Sequence, residues 1–149
     1  MSSLIEKRNG ADRMIKIKMP IVGKQRPRFN SENRRAFTPN ETRQAEHLVR
    51  NYYKLMKGAF YPKGAVEVTI IAYMRIGDSY SKARCENIYQ GKEFPLRKPD
   101  VDNIAKLVLD GLNGVAYKDD AQVTDVICRK RYSLEDYEYI EVCVSPVKY

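Results

Sequence analysis

Aspartates are the residues of this chain best placed to do chemistry. Lys98-Pro99-Asp100-Val101-Asp102-Asn103 sets two carboxylates one residue apart. Pro99 keeps Lys98 extended, so a helix is expected to start just after it. Asp100 and Asp102 then stand at its N-terminus, where acids meet free N–H groups and the positive end of the helix dipole. Two carboxylates there can turn toward one point and hold a hard cation such as Mg²⁺. Asp119 and Asp120 form a second acidic pair, ahead of a strand-like run. Adjacent carboxylates repel unless a cation or a basic side chain compensates. One helix and a short turn join the two clusters, so they are able to converge. Three carboxylates around Mg²⁺ in a basic chain are suited to phosphodiester hydrolysis, in which the metal activates water and neutralises developing charge. Each cluster also has a structural reading. Asp102 and Lys106 form an i,i+4 pair, and Lys118-Asp119-Asp120 alone reads as a solvated turn.

Other chemistries are limited by composition. The 149 residues hold one histidine, His47, and three cysteines, Cys85, Cys128 and Cys143, with no CxxC spacing. The residues for a histidine triad or a multi-histidine metal site are lacking, and the odd cysteine count and spacing speak against a disulfide framework or a zinc site. The thiols read as small hydrophobes in a reducing cytosol, and His47 as a surface residue. No apolar run approaches the ~20 residues that span a bilayer, and Met1 to Gly10 has no apolar signal core. A cytoplasmic protein is expected, with no membrane partner and no small-molecule substrate. The net charge is +8, from 27 Lys and Arg against 19 Asp and Glu. Basic residues recur at Lys24, Arg26, Arg28, Lys98 and Arg129-Lys130-Arg131, which points to a polyanionic partner such as nucleic acid.

The elements that must position these residues follow from periodicity. Residues 1–12 read as a flexible terminus and 13–149 as one domain. Met14 to Met19 alternates apolar and basic residues as a half-buried strand does. Pro20 to Pro39 reads as a long irregular loop. Thr38-Pro39-Asn40-Glu41 is a helix start. Ala45, Leu48, Val49, Tyr52, Leu55, Met56 and Ala59 follow as one buried stripe, with Gly58 as its stop. Val66 to Met74 is apolar on both faces, as a central strand would be. Ser79 to Tyr89 suits a short helix within a basic insert, 79–97. Val101 to Asn113 is a widely apolar helix with Asp102, Lys106, Asp110 and Asn113 on one polar strip. Val123 to Tyr132 and Tyr137 to Val144 read as two strands joined by a hairpin turn at Ser133 to Asp136. The fold class is α+β (mixed α/β): about four strands in a mixed sheet with two main helices.

Three segments together carry a resemblance. Lys98 to Lys106 (KPDVDNIAK), Leu109 to Gly114 (LDGLNG) and Tyr117 to Val123 (YKDDAQV) resemble the signature of the RusA family of Holliday junction resolvases. Arg26-Pro27-Arg28-Phe29 resembles the N-terminal loop of its Gram-positive and phage members. The likeness runs from about Ile15 to Val144. It implies a small homodimeric, Mg²⁺-dependent endonuclease (Mn²⁺ as a possible substitute) that binds four-way DNA junctions and cuts two opposed strands. The family's metal-binding aspartates fall on Asp100, Asp102 and Asp120, and its important lysine on Lys106. The role of Asp119 stays open, and Asp110 matches a recurring acid that is also open to a structural role. Arg26, Arg28, Lys98, Arg129, Lys130 and Arg131 are the candidate phosphate contacts. Val123 to Tyr132 and the second helix are possible dimer surfaces.

Rival readings are a non-catalytic branched-DNA-binding protein and a nuclease for other branched DNA. A glycosyltransferase DxD lacks its nucleotide-binding βαβ start here. A phosphotransferase DxD would follow an apolar strand, where this chain has Arg97-Lys98-Pro99. A PD-(D/E)xK nuclease would need a lysine where Gln122 stands.

Overall fold

A computed structural model describes residues 13–24, 28–29, 36–37 and 40–148. The expected flexible terminus 1–12, the Thr38-Pro39 helix start and Arg26 lie outside the described residues. In chain order the elements are β1 (Ile15–Lys18), β2 (Arg28–Phe29), β3 (Ala36–Phe37), α1 (Asn40–Leu55), β4 (Val66–Met74), α2 (Lys82–Tyr89), α3 (Val101–Leu112), a 3-10 turn (Asp120–Gln122), β5 (Val123–Tyr132) and β6 (Tyr139–Pro146). Within the loop expected at 20–39, β2 and β3 form a small antiparallel ladder.

β1, β6, β4 and β5 form one sheet in that order. β4 runs antiparallel to β6 and parallel to β5, so the sheet is mixed, as expected. Its centre is β4, where Val66, Val68, Ile70, Ala72 and Met74 are buried. β1 shows the strand period directly: Ile15 and Ile17 are buried, Lys16 and Lys18 exposed. α1 and α3 pack on each other and on the sheet, and Val49, Tyr53, Ile104, Leu107 and Leu112 close the core between them. They touch at Gly111, where a Cβ would stand 2.9 Å from Val49 Cβ and 3.0 Å from the Glu46 carbonyl oxygen. A side chain there would force the helices apart. Among the described residues no helix is long and apolar enough to cross a membrane.

Two expectations are corrected. β5 and β6 are not a hairpin, because they flank β4 and each pairs with it. Buried on one face and half-buried or buried on the other, β4 is stable as a central strand, with a partner on each edge. The Ser133–Glu138 connection therefore passes the end of β4. The Ser133 N–H donates to the Met74 carbonyl at 2.7 Å, and its buried hydroxyl donates to the Tyr137 carbonyl at 2.8 Å. Glu138 then ties two strand ends together by accepting from the N–H groups of Ile21 (3.0 Å) and Arg75 (2.8 Å).

The second correction is in α1. Leu55 and Met56 are 74% and 41% exposed, while Tyr53 is buried and Tyr52 only half-buried. The helix stops at Leu55, so the stripe does not continue. Lys57 takes the left-handed conformation (φ 55°). Gly58 N–H bonds to the Tyr53 carbonyl at 2.9 Å and Lys57 N–H to the Lys54 carbonyl at 3.0 Å, a Schellman ending. Gly58 is needed for space rather than for φ: a Cβ there would meet the Tyr53 ring at 2.3 Å. His47 is exposed, as expected.

Candidate active site

α3 begins where the sequence places it. Asp100 is its N-cap residue, and its carboxylate makes no capping hydrogen bond. The carboxylate is therefore left available. Asp102 lies in the first turn, and Asp100, Asp102 and Lys106 are all exposed. Asp102 and Lys106 form no ion pair with each other. The i,i+4 structural reading of that pair is not realised.

The segment after β1 is fastened against this helix start. The Lys24 N–H donates to the Asn103 carbonyl at 2.9 Å. A Cβ on Gly23 would lie 2.8 Å from both Asn103 Cβ and Pro99 Cβ, so only glycine allows so close an approach. Between the two segments lies a cavity of ≈ 320 Å³, lined by Ile21, Val22, Lys24, Lys98, Pro99 and Asn103 among others. The Lys24 ammonium bridges Glu46 of α1, at 2.5 Å, and Asp110 of α3, at 3.2 Å. Burial alone would lower the Lys24 pKa, but hydrogen bonds to Glu46 and Asp110 outweigh it, and the net shift is upward. Asp110 thus serves the structure. Lys24 and Glu46 were not legible as partners, since nothing local in the sequence joins them.

The second acidic pair is held by the turn after α3. Gly114 adopts φ 86° and its N–H returns to the Tyr117 carbonyl at 2.8 Å. Tyr117 is buried, and its hydroxyl donates to the Leu109 carbonyl at 2.5 Å. Asp119 caps the 3-10 turn: its Oδ1 accepts the Ala121 N–H at 2.9 Å. Gln122 completes the capping box by accepting the Asp119 N–H at 3.0 Å. Its amide also donates to the carbonyls of Tyr61 and Gly64, at 3.1 and 3.0 Å. The D-x-x-Q spacing was a readable sign of this box.

The two acids differ electrostatically. The Ala121 N–H, with a hydrogen bond shared with Asp120, holds Asp119 below the usual carboxylate range. The same shared hydrogen bond, then some desolvation and the charges of Asp119 and Asp110, push Asp120 up. Asp119 is committed to the turn, whereas Asp120 carries negative charge with no ion-pair partner among the described residues. A cation would relieve it.

The structure does not draw Asp100, Asp102 and Asp120 into one closed cage. Among the described residues no three Asp, Glu, His or Cys groups stand where they could share a metal ion. The donors nevertheless fit Mg²⁺. They are hard, exposed oxygens, and Mg²⁺ commonly takes one or two carboxylates, keeps several waters and accepts substrate phosphates for the rest.

The expected phosphate contacts divide. Lys98 is exposed beside the cavity. Arg28 lies in β2, and its side chain is outside the described residues. Lys130 donates to the Arg97 carbonyl, and the Arg131 guanidinium lies 4.8 Å from the Phe94 ring centroid. Arg129 is half-buried and engaged within the protein. The Arg129–Arg131 run therefore partly serves to hold the 79–97 segment on the sheet.

Exposed aspartates at a helix start and at the following turn of a small basic α+β domain combine hard oxygens with the surrounding positive charge that metal-assisted phosphodiester chemistry calls for. The family model for endodeoxyribonuclease RusA matches residues 18–144, most of the chain. The protein belongs to the RusA endodeoxyribonuclease family. It is also similar to the uncharacterized protein YqaN of Bacillus subtilis (strain 168), at 40% identity over 83 residues. That match covers 56% of this chain and 57% of the relative.

Proposed function

We propose that the protein is a Mg²⁺-dependent, structure-selective endodeoxyribonuclease that resolves four-way DNA junctions by symmetric cleavage of opposed strands. One observation carries the reading: in a family member of net charge +8, Asp100, Asp102 and Asp120 have no cationic partner among the described residues. Basic residues are plentiful, so the unpaired acids are better explained by a bound cation than by stability.

Asp100, Asp102 and Asp120 would supply the carboxylates, one or two of them to the ion at a time, with waters and phosphate oxygens filling the rest of its shell. When bound, Mg²⁺ supplies an activated water and a Lewis acid at the phosphate. Lys106, one helical turn beyond Asp102, orients the nucleophile or offsets charge on the phosphate oxygens. Asp119 and Gln122 fix the turn that presents Asp120. Lys98, Arg26 and Arg28 contact phosphates on either side of the cut.

A second copy of the chain would present the same site to the opposed strand, as two-fold symmetry requires. β5 supports this. It is an edge strand of ten residues, and Val126 and Ile127 on it are 43% and 38% exposed.

The test is cleavage of a labelled four-way junction and a matched duplex, in Mg²⁺ and in EDTA, with wild type and Asp102→Asn. Paired nicks in the junction alone, lost in EDTA and in the variant, establish the reading. Junction binding without cleavage in any divalent metal refutes it.

A further inference from the structure

The 75–97 region, which the acidic site does not use, folds over the C-terminal end of β5. It encloses a cavity of ≈ 380 Å³ walled by Tyr80, Arg84, Lys92, Phe94, Leu96 and Arg97 among others. Its back wall is fixed by the protein itself. The Arg84 guanidinium stacks 3.6 Å from the Tyr80 ring centroid and pairs with Glu93 at 2.7 Å. Tyr80 meets Tyr132 edge-on at 6.2 Å. Arg97 donates to the Arg75 carbonyl at 2.7 Å and to the Tyr80 hydroxyl at 3.4 Å.

The rim is different. Phe94 is 48% exposed and Leu96 93% exposed. Lys92 is exposed and makes no ion pair with any described residue. A wet aromatic ring among cations matches one ligand chemistry well: a flat base on a phosphate backbone. Bases stack on aromatic rings and on guanidinium planes, and cations meet the phosphates. An apolar peptide would leave Lys92 without a partner.

Location narrows the ligand further. Arg97 precedes Asp100 by three residues, a reach of at most ~10 Å. That is about three base steps at the 3.4 Å rise of one strand.

Resting on the nuclease reading above, we propose that this cavity receives an unstacked nucleobase from the strand held at Asp100 and Asp102. Phe94 is its stacking ring, and Lys92 meets the adjoining phosphate. The cavity thereby sets which nucleotides can lie beside the cut.

The experiment places 2-aminopurine at each position within three nucleotides of the crossover of a four-way junction. Its fluorescence is read in EDTA with the full chain, and cleavage is read separately in Mg²⁺. The expected result is a fluorescence change at one position with wild type, lost in Phe94→Ala and restored in Phe94→Tyr. Junction affinity should fall about tenfold in Phe94→Ala, the scale of one stacked base. Circular dichroism melts confirm that the variant is folded. Cleavage by wild type with fluorescence and site preference unchanged in Phe94→Ala overturns the cavity proposal alone. A Phe94-dependent signal without cleavage in Mg²⁺ supports the cavity and removes the nuclease reading. No junction binding by wild type overturns both.

Discussion

The Lys24 ammonium stands 3.2 Å from the Asp110 carboxylate, and the same ammonium contacts Glu46. One cation from the strand-to-loop segment thus joins the two helices that close the core. It also fixes the chain beside the start of α3, where Asp100 and Asp102 lie. Removing it leaves two carboxylates facing each other in a half-buried site. Lys24→Met should cost about 2 kcal/mol, between the values for exposed and for buried pairs. Urea unfolding of both proteins measures this.

The same triad predicts a pH dependence. The Lys24 pKa is raised above the ordinary lysine value of 10.5. A raised lysine stabilises the fold fully below its unfolded pKa and ceases to do so as pH climbs through its folded pKa. The stability difference between wild type and Lys24→Met should therefore be flat from about pH 6 to 9. It should shrink above about pH 10.5. A difference that vanished near neutrality would refute the assignment.

Gly111 tests the helix contact. In an open helix Gly→Ala would stabilise by about 1 kcal/mol. Here the new Cβ would lie 2.9 Å from Val49 Cβ. Overpacking of this kind costs about 1–3 kcal/mol. Gly111→Ala should therefore lower Tm, and a second change, Val49→Ala, should not restore it, because alanine keeps the Cβ that stands nearest and the Glu46 carbonyl belongs to the backbone. Thermal melts of the single and double variants decide it.

Asp119 and Asp120 should separate stability from activity. Asp119→Ala loses the Ala121 cap and should lower Tm, whereas Asp119→Asn keeps an accepting oxygen and should be milder. Asp120→Asn removes a charge that its neighbour opposes, so Tm should hold or rise. Junction cleavage by Asp120→Asn should fall by on the order of 10²-fold or more. Melts paired with cleavage rates would expose a merely structural Asp120.

Much of this was legible because it was local. The alternation in Ile15–Lys18 and the β-branched run of β4 follow from local pattern, and β5 spans the Val123–Tyr132 stretch that the sequence offered as a strand. The start of α3 follows from Pro99 and the acids behind it. What was not legible depends on distant partners. β5 and β6 adjoin in sequence, yet β4 lies between them, because a strand covered on both faces takes the centre. Tyr53 rather than Tyr52 is buried because Gly58 returns beneath its ring. Lys24 could be read as a charge but not as a clamp, for its partners come from two other elements. The acids could be found by spacing, whereas the division of labour between Asp119 and Asp120 needed the Ala121 and Gln122 hydrogen bonds.

The edge of β5 carries the last prediction. A ten-residue strand that has no neighbour on one side among the described residues invites a second strand unless charge or proline guards it. This edge has basic residues at Arg129 to Arg131, but near its middle Val126 and Ile127 remain open to solvent. If a second copy pairs there, lysine at either position sets like charges across the symmetric junction and desolvates an ammonium. Val126→Lys and Ile127→Lys should then sediment as monomers of 17.3 kDa, where wild type sediments at twice that mass. Each variant should keep its fold, since both residues already face water. Uncoupled sites would cut one strand at a time, so junction products should shift from paired cuts to single nicks. A wild-type monomer would refute the pairing, as would a dimer untouched by both lysines. Dimeric variants with normal paired cleavage would move the interface to another surface.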